Sequence, residues 1–307
     1  MIPYFGTPSH PECHLLYNNA LAASIWSTTA TQDVRLLRHL LERLFTLPYE
    51  TTFLNFLRCN DDIGWTLDYD FLSSLGQGEI SHKQFLNSYM TGAYPGSPAR
   101  GELYQPDVVR SDARICGTTA SLCGIEAALQ SENADALRSA VDLDIMLHAL
   151  MLTLSGVPEL YSGDELGRLN DYSYHQDPQK ADDSRYLHRG RFEWDKAACR
   201  HTDGTVEARL FESYRYLLQV RKEHHAFDSN ADCWSLQTDH NSVLGLGRYL
   251  YGESMAALFN FSAEPVVIDL HRTETCRDLV SGEFVNLSRI LIPGHGFRWL
   301  NATYYEF

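Results

Sequence analysis

Thr52-Phe53-Leu54-Asn55-Phe56-Leu57-Arg58-Cys59-Asn60-Asp61-Asp62-Ile63-Gly64-Trp65 is the stretch that decides how the rest of this 307-residue chain reads. Its first half, Thr52 to Cys59, is a mostly apolar run without the alternation of a half-exposed strand. Such a run suits a strand covered on both faces, as in a parallel sheet. The run then breaks into Asn60, Asp61 and Asp62. Carboxylates at the end of a buried strand have two readings. They cap the N–H groups of a turn, or they face a substrate where barrel strands end and loops begin.

Upstream, Glu12–Tyr17 reads as a short strand and a helical pattern starts at about Asn19. Thr31 is placed to cap a second helix carrying Val34, Leu37, Leu41 and Leu44 at helical spacing. Downstream, residues 60–116 are polar and rich in Gly and Pro, with one helix around Ser81–Tyr89. A connection that long is usually functional. Helices are expected over Gly117–Gln130 and Ala134–Ser155, and a short strand over Val157–Tyr161 that ends at Ser162-Gly163-Asp164-Glu165. After another polar loop, Val206–His225 is an amphipathic helix.

Beyond Asp228 the pattern changes to short alternating runs: Ser242–Arg248, Met255–Phe261, Val266–Leu270, Glu283–Leu287, Arg289–Ile292 and Phe297–Leu300. Turn residues separate them, as in a small antiparallel sandwich. The chain therefore divides into 1–228, where strands and helices alternate, and 229–307, which is all β.

Composition narrows the function. A net charge of −15 repels phosphate backbones and anionic membranes, which argues against nucleic-acid and membrane partners. The seven cysteines are odd in number and contain no Cys-x-x-Cys pair, so reduced thiols in a cytoplasm are the better reading than a disulfide framework. The N-terminus has neither the basic nor the apolar segment of a signal peptide. The most apolar stretch, Ile145–Leu154, is too short to span a bilayer.

Three segments in succession resemble one family. Phe56–Trp65 looks like the seventh-strand motif of the α-amylase superfamily in the form used by amylosucrases, and Gly156–Gly167 looks like the eighth-strand motif. His175–Arg189 resembles the amylosucrase loop that closes the sucrose pocket. The resemblance runs through essentially the whole chain and implies the C-terminal part of a (β/α)8 barrel, about strands six to eight, followed by a β-sandwich. The implied activity is glucosyl transfer from sucrose, or hydrolysis of an α-glucoside, with sucrose or an α-glucan as the bound partner, through a covalent glucosyl enzyme that needs no cofactor and no metal.

Carried over position by position, Asp61 matches the carboxylate that stabilises the oxocarbenium-like transition state. Asp62 and Arg185 match residues that contact sucrose or shape its pocket. Arg114 and Lys83 fall where amylosucrases line the acceptor path with arginines. Lysine cannot reproduce a bidentate guanidinium contact. Asn60 stands where the family has a histidine that donates to a sugar hydroxyl; its amide also donates, with a different reach. A retaining enzyme needs a nucleophilic carboxylate and a separate acid about 5 Å away. In this family both lie on earlier strands than those matched here, so this chain is expected to lack them and to be inactive alone.

The plainer readings stand beside these. Arg185 serves equally as a loop salt bridge to Asp182 or Asp183, and Arg114 and Lys83 as solvated loop charges. The competing function is a non-catalytic protein that binds sugar or a partner. A complementing N-terminal barrel fragment is a further partner the resemblance implies, because Glu12–Tyr17 and Val157–Tyr161 would be open sheet edges.

Overall fold

The structure, a computed structural model, describes residues 2–302 apart from positions 8, 46, 48, 49 and 108. At its centre, strand Thr52–Asn55 lies between two parallel neighbours, Leu15–Tyr17 and Val157–Pro158. The strand is shorter than the apolar run. Phe56, Leu57 and Arg58 continue inward as buried, non-strand backbone.

Two asparagines fasten the three strands. Asn55 Nδ2 donates to the Ser155 carbonyl (2.8 Å), and its Oδ1 accepts from Asn18 Nδ2 (2.9 Å). Asn18 Oδ1 in turn accepts the Leu21 N–H and caps helix Asn19–Thr31, which is buried along most of its length. A buried polar group that is fully bonded fixes one arrangement of the elements around it.

The second helix is Arg35–Leu44, and Thr31 does not cap it. The Thr31 hydroxyl bonds back to the Ser27 carbonyl inside the first helix, while Asp33 accepts the Arg35 N–H. The long connection after Asp62 is also more ordered than the sequence suggests. Asp68 caps a short helix, Tyr69–Ser74, ahead of helix Glu79–Met90. Strands Ile63–Gly64, Glu102–Asp107 and Asp112–Cys116 then form an antiparallel sheet. The expected helix over Gly117–Gln130 is interrupted at Gly124, whose φ of 98° ends Thr119–Cys123 and starts Ile125–Gln130.

The C-terminal region is a six-stranded antiparallel sheet faced by the pair Val266–Ile268 and Ile290–Ile292. An apolar core that includes Leu258, Ile268, Ile290 and Leu300 lies in this region. The sheet contains two strands the alternation did not reveal, Asp232–Leu236 and Thr275–Asp278. Its other face joins the main core, in which Trp26 and Leu150 share one cluster with Phe259 and Trp299. Buried Arg248 donates to the carbonyls of Ala226, Thr153 and Asp228, so the sheet is bolted to helix Ala134–Thr153 as well as packed on it.

Among the described residues, strands Leu15–Tyr17 and Val157–Pro158 each pair on one side only. Leu15, Tyr17 and Val157 are exposed there. Phe53, Phe56 and Leu57 are buried, so the apolar run itself is not what faces water.

Gly156 sits where the main chain turns into the third parallel strand, with φ of 122°. A Cβ there would lie 2.5 Å from the Phe53 carbonyl oxygen and 2.9 Å from Asn55 Nδ2. Gly156→Ala is expected to cost roughly 1–3 kcal/mol through backbone strain and the displaced asparagine. Urea denaturation reads this as a lowered midpoint; an unchanged midpoint would show that the strand junction re-forms without the Asn55 clamp.

Candidate active site

The end of the central strand is held from below before it presents anything to solvent. Arg58 and Asp164 form a fully buried ion pair, with Arg58 Nε 3.0 Å from Asp164 Oδ1. The other carboxylate oxygen accepts from Thr119 Oγ1 (2.9 Å), and the Tyr161 ring lies 4.3 Å from the guanidinium carbon. Trp26 Nε1 donates to the Leu57 carbonyl (2.8 Å). The backbone on both sides of Arg58 is therefore fixed when it reaches Asn60.

Asn60 is gripped through its carbonyl, which accepts from Arg189 Nε (2.5 Å) and His188 Nε2 (3.3 Å). His188 Nδ1 accepts the Gly117 N–H (3.1 Å), which places the ring proton on Nε2. Burial, reinforced by Arg58, pushes the His188 imidazole down to about 3, so it is neutral at pH 7. The Asn60 side chain stays at the exposed surface.

The adjacent carboxylates diverge, as neighbours at a strand end do. Asp61 has 61% of its side chain exposed and meets Arg189 Nη2 at 3.0 Å and Arg185 Nη1 at 3.8 Å. Asp62 is 10% exposed and faces Arg114 Nε at 3.4 Å. Asn60, Asp61, Asp62 and Arg114 line one cleft of about 430 Å³, with Tyr17, Phe56 and Glu159 on its other walls. Four of the six sequence-derived candidates thus meet in one cavity.

Arg185 stands beside them. It makes a two-toothed pair with Asp183 (2.8 and 2.7 Å) that holds the Asp183 carboxyl below its usual range, and it lies over the Tyr104 ring at 4.7 Å. It touches Asp61 at longer range, so the loop-bridge and pocket readings both describe it. Lys83 is placed elsewhere: it is buried on helix Glu79–Met90, with its ammonium on Glu79 (2.8 Å) and Asp112 (3.0 Å) above the Tyr69 ring. Three residues that sequence reasoning did not single out belong to the site: His188, Arg189 and Glu159. The first two sit in the same loop motif as Arg185, where their partner, a backbone carbonyl more than a hundred positions away, leaves no mark in the sequence. Among the described residues no group of three His, Cys, Asp or Glu side chains is placed to hold a metal ion.

This geometry can be set against known proteins. The chain is 25% identical over 282 residues to the glucosylglycerate phosphorylase of Escherichia coli (strain K12), covering 91% of this chain and 46% of that protein. It is 27% identical over 294 residues to the glucosylglycerate phosphorylase of Allomeiothermus silvanus, covering 92% and 47%. Among solved structures, sucrose 6F-phosphate phosphorylase from Thermoanaerobacter thermosaccharolyticum superposes with a TM-score of 0.58 at 17% identity, over 91% of this chain and 48% of that one. AmyP in complex with maltose superposes with a TM-score of 0.61 at 12% identity, over 97% and 51%. No family model matches the chain.

The fold is the C-terminal part of a (β/α)8 barrel followed by a β-sandwich. The chain spans about half the length of the curated relatives it matches. In sequence it is a partial homologue of α-glucoside-active enzymes. Among the described residues no helix is long and apolar enough to cross a membrane.

His188 gives the site a pH signature. Between pH 6.5, the ordinary imidazole value, and about 3, the unfolded chain binds a proton that the native chain refuses. Native stability therefore falls as pH drops through that window, by up to about 1.4 kcal/mol per pH unit. His188→Gln, which retains an acceptor and a donor, removes this contribution. Urea unfolding near pH 6.5 and near pH 5 should show the parent losing about 2 kcal/mol more than the variant; equal losses would place the imidazole in water.

Proposed function

We propose that the Asp61 cleft is the transition-state-stabilising half of a retaining α-glucosyl site. The observation that carries this is one exposed carboxylate, steered by Arg189 and Arg185, beside a second carboxylate held against Arg114. Asp61 holds hydroxyls of the glucosyl ring and offsets the positive charge that grows at the anomeric carbon. Asp62 and Arg114 fix the ring's other side, and Arg185 closes the pocket. Asn60 donates to a ring hydroxyl through its side-chain amide.

The complete reaction needs a nucleophilic carboxylate to form the glucosyl enzyme and an acid to protonate the leaving oxygen. Asp61 and Asp62 do not supply them, since their side chains turn to different arginines. In our reading those two groups come from the portion of the relatives' length that this chain does not span, and residues 1–307 alone do not cleave glycosides. The part that binds glucose is the piece up to residue 228, and the sandwich from 229 supports it. Cys13, Cys59, Cys116, Cys123, Cys199 and Cys233 are free thiols, which fits a reducing cytoplasm.

What receives the glucosyl unit separates amylosucrase from phosphorylase chemistry. The relatives' names favour phosphate as acceptor, with release of an α-glucose phosphate, over sucrose-driven transfer to a glucan. The test joins the chain to the preceding half of a glucosylglycerate phosphorylase and assays glucosylglycerate and sucrose, each with phosphate. The expected result is glucose 1-phosphate formation that falls about 10²–10³-fold in Asp61→Asn, and that rises about tenfold in Asn60→His as a transition-state hydrogen bond is restored. Glycoside cleavage by the 307-residue chain alone, or joined activity indifferent to Asp61→Asn, would contradict the proposal.

A further inference from the structure

The cleft of about 430 Å³ is walled by three carboxylates, Asp61, Asp62 and Glu159, against the guanidinium of Arg114. Two of the three are matched: Asp61 meets Arg189 and Arg185, and Asp62 meets Arg114. Glu159 is not. Among the described residues its side chain makes no hydrogen bond and no ion pair.

The position of Glu159 is nonetheless fixed. Its N–H donates to the Asn55 carbonyl (2.8 Å), directly after Pro158 pairs with Asn55 at the end of the third parallel strand. Neighbouring Leu160 packs against the apolar core, and alternation along extended backbone sends Glu159 to the other side, into the cleft. Cys59 lines the cleft too and feels both acidic walls. Burial, with the charges of Asp61 and Glu159 nearby, pushes its thiol up, so at pH 7 it adds no further anion.

A half-buried carboxylate without donors is costly, and it can accept hydrogen bonds but not give them. We infer that Glu159 is a specificity-determining residue of the glucosyl cleft, which accepts from the bound sugar, favours an amino sugar over neutral glucose and refuses a sugar acid. A neutral hexose brings hydroxyl donors to the carboxylate. An amino sugar adds an ammonium, whose hydrogen bond is assisted by charge. A sugar acid sets a second anion against one that the fold leaves unmatched. This rests on the Asp61 reading for the cleft and adds what the cleft selects.

The test titrates the 307-residue chain with glucose, glucosamine and glucuronate, read by calorimetry, with thermal melting to confirm that each variant is folded. At about pH 6 the sugar amine is protonated and the sugar acid ionised. Glucosamine is expected to bind about fivefold tighter than glucose, the yield of a partly exposed ion pair, and glucuronate at least about fivefold more weakly. Added salt narrows that spread. Glu159→Gln has the same shape without the charge. It brings the three sugars to within about twofold of one another and weakens glucose itself about threefold, as a charge-assisted bond becomes a neutral one.

Equal affinity for the three sugars in the parent, an order that Glu159→Gln leaves unchanged, or no sugar binding at all overturns the inference. Glucose binding that needs Asp61 but ignores Glu159 sinks this reading and spares the glucosyl one. A charge order set by Glu159, together with activity of the joined enzyme that is indifferent to Asp61→Asn, does the reverse.

Discussion

The buried pair between Arg58 and Asp164 is the constraint from which the site is hung. It joins the end of the central strand to the turn that follows the third parallel strand, across 106 positions of sequence. Removing two charges from water is expensive, and Arg58 Nη1 has no partner among the described residues, so the pair is a poor source of net stability. What it supplies is position. Either half alone would be an isolated buried charge, costing roughly 3–5 kcal/mol, so the two segments hold one register. Asn60, Asp61 and Asp62 follow directly from that anchored arginine. Its charge is also felt further on, by the imidazole of His188 and the guanidinium of Arg168.

A consistent electrostatic plan follows. The chain is acidic overall, yet Arg58, Arg114, Arg185 and Arg189 are each matched to a carboxylate around one strand end. Neutral His188 sits among them because a second proton would meet burial and three guanidinium groups at once. It can therefore act as a fixed donor to the Asn60 carbonyl instead of a titrating group. Asp61 is the exception to burial in this set, and exposure is what a carboxylate that must meet a ligand requires.

Much of this was legible in the sequence because it depends on local pattern. The unbroken apolar run before Asn60, the helical periodicity of the segment that ends at Glu223 and the alternating runs after Asp228 are local patterns that packing preserves. Four of the proposed site residues were identifiable from motifs, and the fold placed them in one cleft. Features set by distant partners were not legible. Thr31 looks like a helix cap because threonine often is one, but its hydroxyl found a carbonyl in its own helix first. The hairpin of Glu102–Asp107 and Asp112–Cys116 hides in polar sequence, since much of its first strand faces outward. Lys83 lies in a segment that reads as solvated, and two carboxylates, Glu79 and Asp112, draw it inside.

The central claim is that residues 60–62 of this chain form a glucose-binding surface in their own right. The most direct measurement is a glucose titration of the isotope-labelled chain, followed through backbone amide resonances. The account predicts saturable shifts concentrated at Asn60, Asp61, Asp62 and Arg114 that disappear in Asp61→Asn. Silence at those four positions, or an identical response in Asp61→Asn, would contradict it.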